Sequence, residues 1–306
     1  MSKNIENFHL QSYNLHRETF AKFLNGNDSL SRTWFDEETI DYWRHWRMYN
    51  TITPVLDYYK NSSWVTIGDG RYGLDSVRLK KINNSLNILP TDISPYLLEE
   101  SKKMGLISDF SIENAEKLSF PDNHFDFAFC KESYHHLPRP FLGLYEMLRV
   151  SKEGVVLIEP NDRLTNPPFL LHLISKLVLL KSKILNRMKP HPDAGWFEES
   201  GNYCYYLSLR EVEKLCIGLQ LPCLAYLYFN DYYEEGMEYT NVGKDIAVFN
   251  KVKKIVRKED FKCKVGLKQY QLISVVIFKK MPPEELKKQM KDFGFEVIDL
   301  PLNQFL

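Results

Sequence analysis

Short apolar runs alternate along this chain with segments of helical periodicity from residue 64 onward. The runs are typical of buried strands, and the segments between them place apolar residues three or four positions apart, which predicts helices. The predicted strands cover 64–67, 86–91, 110–113, 125–130, 155–158, 225–229 and 272–278. Strands that alternate with helices favour an α/β fold, with a mostly parallel sheet and helices on both of its faces. Ligands in such sheets bind at the carboxyl ends of the strands, so the residues that follow each strand are the site candidates.

Three regions of the chain differ in pattern. Residues 1–60 are rich in aromatic side chains and lack strand alternation, which predicts a helical N-terminal cap. Residues 61–280 contain the strand–helix repeats, interrupted at 161–207 by proline-rich and apolar stretches that we interpret as an insertion covering the strand ends. Residues 281–306 are predicted to be a C-terminal extension made of a charged helix and a short strand.

Composition narrows the possible partners and the compartment. The 306 residues include 40 basic and 40 acidic side chains without a basic stripe, so no nucleic-acid partner is expected. Five scattered cysteines lack the spacing of zinc or disulfide frameworks, and no signal peptide is evident, which together favour the cytoplasm. The most apolar run, 169–180, is shorter than the roughly 20 residues that span a bilayer. A buried or cap helix is the first interpretation of this run, contact with a membrane surface is the alternative, and the oligomeric state stays open.

The most informative motif follows the first predicted strand. It is a glycine turn, Gly68-Asp69-Gly70-Arg71, in which the backbone can bend sharply and approach a ligand closely. The helix predicted at 74–82 would direct its N-terminal amide groups at the same ligand. Asp92 ends the second strand, where its carboxylate could accept hydrogen bonds from two ribose hydroxyls. A glycine turn followed by an acid about 20 residues later is also typical of dinucleotide-binding folds, so an NAD(P)-dependent oxidoreductase remains an alternative.

Three further segments narrow the choice of cofactor. They are the stretch from Asn114-Ala115-Glu116 to Phe125-Asp126, the sequence Ser133-Tyr134-His135-His136-Leu137, and the helix that ends in Leu148-Arg149-Val150. Together with the glycine turn they resemble the class I S-adenosylmethionine-dependent methyltransferases, and most closely the type 11-like branch that modifies small molecules. The resemblance covers about residues 60–160. It implies a Rossmann-like, seven-stranded sheet and S-adenosylmethionine as the cofactor.

The resemblance also implies a role for each matching residue. The glycine turn would pass beneath the methionine part of the cofactor, Asp92 would bind the ribose hydroxyls, and Ile93 would pack on the adenine. Asn114 and Ala115 would meet the adenine edge, and Lys131 would lie near the sulfonium. Three positions depart from the usual pattern, namely Thr66 in place of an acid, Tyr72 before a displaced third glycine, and Asn114 in place of aspartate.

Methyl transfer to an oxygen depends on alignment with the donor and on a base that takes the hydroxyl proton. His135 and His136 follow the fourth strand, and a neutral imidazole suits that task near pH 7. Glu132 could orient a histidine or a substrate hydroxyl. A metal ion held by these three residues is not expected, because adjacent histidines suit a single ion poorly.

These observations predict a methyltransferase that acts on a small hydroxylated metabolite. O-methylation of a sugar or glycan precursor is the first hypothesis. The alternatives are a secondary-metabolite or quinone-like O- or C-methyltransferase, the oxidoreductase, and a non-catalytic interaction domain built on the methyltransferase fold.

Overall fold

A computed structural model of the chain describes residues 7–18, 20–23, 29–163 and 196–305. The apolar run 169–180 and most of the predicted insertion therefore lie outside the described residues. Within these ranges, no helix is both long enough and apolar enough to cross a membrane.

Eight strands form one sheet in the order β3-β2-β1-β4-β5-β7-β6-β8. They are β1 (Ser63–Ile67), β2 (Asn87–Asp92), β3 (Ser111–Ile112), β4 (Phe125–Lys131), β5 (Ser151–Pro160), β6 (Cys223–Phe229), β7 (Leu272–Phe278) and β8 (Glu296–Asp299). The first five strands are mutually parallel, whereas β7 runs antiparallel to β5 and β6, and β8 runs antiparallel to β6. The predicted α/β class is confirmed.

The predicted count of seven strands is wrong by one. β8 belongs to the C-terminal extension, and its residues pair with β6 from Cys223↔Asp299 to Tyr226↔Glu296. This pairing covers an edge of β6 that would otherwise leave backbone hydrogen-bonding groups open.

The helices flank the sheet and also cover its carboxyl edge. They are α1 (Phe8–Glu18), α2 (Ser29–Thr33), α3 (Ile40–Asn50), α4 (Thr53–Tyr58), α5 (Leu74–Ile82), α6 (Tyr96–Lys103), α7 (Pro140–Val150), α8 (Leu209–Gly218), α9 (Ile246–Lys264) and α10 (Glu284–Phe293). Short 3-10 turns lie at Ala21–Phe23, Tyr134–His136 and Met237–Tyr239.

Strand alternation divides the core between the two faces of the sheet. In β5, Val156 and Ile158 pack with side chains of α3, α4, α5 and α10, whereas Val155 and Leu157 pack with side chains of α7 and α8. Successive strand residues point to opposite faces, and both faces are covered, so β5 is apolar without alternation. The parallel strands β1, β2, β4 and β5 all end at one edge of this core, and the candidate site lies there.

Candidate active site

A cavity of about 940 Å³ opens at the carboxyl ends of the parallel strands. Small-molecule pockets span roughly 300–1,000 Å³, so this one has room for a cofactor and a small second ligand. Of the predicted site residues, those that line it are Gly68, Asp69, Arg71, Asp92, Ile93, Asn114, Ala115, Lys131, Glu132, His135 and His136. Gly70 lies behind the cavity wall, where a Cβ atom would approach the Asp92 carboxyl to 2.7 Å and the Phe20 ring to 2.4 Å.

The glycine turn packs too closely against its neighbours to accept side chains. Gly68 has a positive φ of 75°, and a Cβ there would lie 2.4 Å from Cβ of Ser133. The Ser133 hydroxyl donates to the Gly68 carbonyl at 3.0 Å, which connects the turn after β1 to the segment after β4. Tyr72 and Gly73 both adopt the left-handed conformation, with φ of 59° and 66° respectively. The displaced third glycine of the turn, Gly73, therefore still occupies a position that favours glycine.

Asp69 supports the turn from inside the protein. It is buried, and its carboxyl accepts hydrogen bonds from the Thr66 hydroxyl at 2.8 Å and from the Asp75 and Ser76 backbone amides at 2.9 and 3.0 Å. Burial, and secondly the charge of Asp75, raise the pKa of Asp69 to about 8. Thr66 therefore supports the loop through Asp69, at the position where the resemblance implies an acid.

Asp92 and the β3 turn form the next part of the wall. The Asp92 carboxyl is buried and accepts the Ser94 amide at 2.7 Å, and burial raises the pKa of Asp92 to about 6. The Asn114 side-chain carbonyl accepts the Glu116 amide at 2.9 Å. Glu113, which the sequence reasoning did not single out, fixes this turn by accepting from the Ser119 amide and hydroxyl at 2.9 and 2.5 Å.

His135 forms a buried pair with Glu159 from the end of β5. Its Nδ1 lies 2.6 Å from Glu159 Oε2, and Glu159 Oε1 accepts the backbone amides of Ser133 and Tyr134, both at 3.0 Å. Because Glu159 accepts, Nδ1 carries a proton and Nε2 is left as the proton-accepting nitrogen of the neutral ring. Burial lowers the pKa of His135, but the Glu159 charge and hydrogen bond outweigh burial, and the net pKa is raised.

His136 belongs to a different group of side chains. Its Nδ1 lies 2.5 Å from Glu198 Oε1 and 4.0 Å from the Cys204 sulfur, and His16 Nε2 lies 3.9 Å from the other Glu198 oxygen. Burial raises the pKa of Glu198, yet the bond from His136 outweighs it, so the net pKa is lowered. The two adjacent histidines therefore differ in partners, although both line the cavity.

Glu132 does not join either of these histidines. It adopts a left-handed φ of 49° and bonds to Lys131 Nζ at 2.6 Å, with His45 Nδ1 at 3.4 Å. Burial disfavours the charged form of Glu132, but the positive charge of Lys131 outweighs this effect. The pKa of Glu132 therefore lies well below its usual range. Burial, and then the Lys131 charge, lower the pKa of His45, so this imidazole is neutral. Left-handed non-glycine residues cluster at functional sites.

Helix α3 supplies the wall that sequence reasoning missed. Its side chains Asp41, Arg44, His45 and Tyr49 line the cavity, and Arg44 is held by ion pairs to Asp41 and Asp231. The only signal for them was the aromatic and charged character of residues 40–50, which could not show that the helix faces the strand ends.

Helix α1 closes the opposite rim. The Tyr13 hydroxyl donates to Glu116 at 2.5 Å and accepts from Arg139 Nη2 at 2.7 Å, while Tyr96 donates to Glu18 at 2.7 Å. These contacts hold α1 over the ends of β3 and β4, so the N-terminal region is part of the site wall.

The order of the sheet separates this chain from the dinucleotide-binding folds. Those folds have the order 3-2-1-4-5-6, whereas here the antiparallel β7 lies between β5 and β6. Parallel strands with a glycine turn after β1 and an acid at the end of β2 agree with the Rossmann-like fold that the resemblance to class I methyltransferases implies.

Comparison with known proteins gives the same class. Residues 65–158 match the family described as methyltransferase domain. This match confirms the resemblance inferred from the sequence to the class I, S-adenosylmethionine-dependent methyltransferases, including the cofactor that it implies. A search of the curated proteins finds no match.

Solved structures share the fold at low sequence identity. The protein bound to the Trm112 methyltransferase activator from Haloferax volcanii is 12% identical, with 88% of this chain and 100% of that chain covered and a TM-score of 0.50. A SAM-dependent methyltransferase from Methanosarcina mazei is 19% identical over 75% of this chain and 98% of that one, with a TM-score of 0.44. YcgJ from Bacillus subtilis is 16% identical over 77% and 99%, with a TM-score of 0.47.

Proposed function

We propose that this chain transfers the methyl group of S-adenosylmethionine to a hydroxyl of a neutral, sugar-like small molecule, with His135 as the base. The observation that carries the proposal is the buried His135–Glu159 pair on the cavity wall. His135 is close in sequence to Ser133, whose hydroxyl donates a hydrogen bond to the Gly68 carbonyl of the glycine turn.

The residues around the turn fit this cofactor. Gly68 and Gly70 let the turn pack closely against Ser133 and Asp92, and the buried Asp92 carboxyl next to Gly70 suits the ribose hydroxyls. Bound S-adenosylmethionine supplies an electrophilic methyl group on a positively charged sulfur. Ile93, Asn114 and Ala115 continue this wall beyond Asp92 and suit the adenine, as the resemblance implies.

His135 has the features of a general base. Glu159 fixes the orientation of the ring and the tautomer, so Nε2 is available to take the hydroxyl proton of an acceptor. The charge of Glu159 also stabilises the imidazolium that forms when the proton is taken. Positioned bases of this kind contribute about 10²–10⁴-fold to rate.

The remaining wall supports a polar, uncharged acceptor. Outside the predicted cofactor-binding residues, seven carboxyl residues and two cationic residues line the cavity, which leaves an excess of five negative charges; these are Asp41, Asp75, Glu113, Glu132, Glu198, Glu199 and Glu238 against Arg44 and Arg78. A phosphorylated or carboxylated acceptor would meet repulsion here.

Two experiments test the proposal. Calorimetric titration with S-adenosylmethionine, S-adenosylhomocysteine and NADH, repeated on Asp92→Ala, should show binding of the two adenosyl ligands that is strongly weakened in the variant. Binding of NADH alone would favour the oxidoreductase, and no binding would favour a non-catalytic domain. A transfer assay with labelled S-adenosylmethionine against neutral sugars, sugar phosphates and quinols then tests the acceptor class. His135→Ala should abolish transfer, and transfer to sugar phosphates or quinols alone would overturn the assignment.

A further inference from the structure

Four side chains with metal-binding atoms meet at the rim of the cavity, and none of them is the proposed base. They are His16 from α1, His136 from the turn after β4, and Glu198 and Cys204 from the segment that starts at residue 196. Three segments far apart in the sequence are thus brought together at one point. We call this group the rim cluster.

The distances within the rim cluster suit a single small cation after modest adjustment. The ligand atoms of His136, Glu198 and Cys204 all lie within 4.8 Å of one another. Zinc binds nitrogen and oxygen at about 2.0–2.2 Å and sulfur at about 2.3 Å, so tetrahedral ligands lie roughly 3.3–3.6 Å apart. The sulfur of Cys204 is 4.0 Å from His136 Nδ1, which leaves a few tenths of an ångström to close, whereas His16 Nε2, 3.9 Å from Glu198, lies outside this group of three. The shorter His136–Glu198 contact would have to open to admit the ion.

Asn202, which contacts two residues of the rim cluster, has an unsatisfied polar atom. Asn202 is fully buried, and its amide nitrogen lies 2.7 Å from the His136 carbonyl and 3.2 Å from His16 Nε2. Its Oδ1 finds no hydrogen-bond partner among the described residues. Buried polar atoms are rarely left without partners, and a water bound to a metal ion would supply one here.

We propose that the rim cluster binds one Zn²⁺ ion through the His136 imidazole, the Glu198 carboxylate and the Cys204 thiolate, with a water as the fourth ligand and with His16 next to Glu198. Mixed nitrogen, oxygen and sulfur ligands in four-coordinate geometry are typical of zinc. Cys204 is fully buried, and on binding its S–H bond is replaced by an S–Zn bond while the proton leaves to solvent. The ion would join the 134–136 turn to the 196–204 segment, and the contact of His16 with Glu198 connects α1 to this site. The inference does not depend on the proposed methyl transfer.

Titration of the tag-free full chain with Co²⁺ tests the site, because a thiolate ligand gives cobalt a charge-transfer absorption. We expect one equivalent of Co²⁺, an absorption band of that kind, and displacement of Co²⁺ by Zn²⁺. Cys204→Ser should remove the charge-transfer band. Cys263→Ser is the matched control, since Cys263 is also buried but contacts Asn230 instead of a histidine.

His16→Ala provides a second variant that is less demanding for folding, since His16 is partly exposed on α1. It should weaken Co²⁺ binding about 10-fold or more while leaving the charge-transfer band in place at saturation. Absence of stoichiometric Co²⁺ binding, or a band that survives Cys204→Ser, would overturn the proposal.

Discussion

Replacing Glu159 with glutamine should reverse the tautomer of His135 and lower its pKa. The Glu159 side chain is fully buried, and its Oε1 accepts two backbone amides, so the carbonyl oxygen of glutamine must take that position. The NH₂ group then faces His135 Nδ1 at the site of the 2.6 Å hydrogen bond. Nδ1 must accept, and the ring proton moves to Nε2.

The size of the effect follows from the lost interaction. A hydrogen bond to a charged group contributes about 1.5–3 kcal/mol, and one pKa unit corresponds to about 1.36 kcal/mol, so the pKa should fall by roughly 1–2 units. Since Nε2 no longer accepts a proton, methyl transfer should fall about 10²–10⁴-fold.

Nitrogen-15 NMR of histidine-labelled protein measures both the tautomer and the pKa without an acceptor. The wild type should show Nδ1–H and a pKa above the ordinary 6.5, and Glu159→Gln should show Nε2–H and a lower pKa. Glu198→Gln is the matched control, because it replaces the partner of His136. An unchanged His135 tautomer and pKa in Glu159→Gln would refute the reasoning.

The same pair makes a prediction for stability. A raised pKa in the folded state means that the folded protein binds the proton more tightly than the unfolded chain. The stabilisation from this pair is therefore complete below the ordinary histidine pKa of about 6.5 and is lost as the pH rises through the folded pKa of His135. Urea unfolding over that range should show the decline in wild type and a smaller decline in Glu159→Gln.

Three further predictions concern the cofactor cleft and its rim. Asp92→Asn should weaken S-adenosylhomocysteine binding about 10–150-fold in calorimetry. Burial raises the pKa of Asp92 to about 6, so the wild type should lose affinity as the pH falls through about 6. The Asp92→Asn variant should not show this pH dependence. Gly70→Ala should abolish binding of S-adenosylhomocysteine, because the added Cβ would lie 2.7 Å from the Asp92 carboxyl. Gly218→Ala is the control, since Gly218 lies in α8 with open space around it. This variant should bind the ligand normally and have a higher melting temperature than the wild type. Tyr13→Phe removes the hydrogen bond to Glu116, which contributes about 1 kcal/mol. Amide hydrogen exchange in residues 8–18 should therefore become about 5-fold faster. Unchanged exchange would contradict the role of this contact.

The sequence alone determined the fold class and most of the predicted site residues that line the cavity. These features depend on local patterns, because strand alternation, glycine turns and residues at strand ends are readable within short windows. Gly68, Asp92 and His135 could therefore be identified from their positions relative to the predicted strands. The pairing of β8 with β6 could not be predicted in this way, because the two strands lie about 70 residues apart in the chain and pairing at that separation has no local signature.

Only the tertiary structure decided which side chains act together. Glu132 directly precedes the segment that carries the two histidines, yet its left-handed backbone turns it toward His45 and Lys131. The partner of His135 is Glu159, 24 residues away at the end of the neighbouring strand. The rim cluster likewise joins α1 to the segment after residue 196. Such contacts depend on how the helices pack over the sheet, and that packing is set by the summed burial of many apolar residues rather than by any motif.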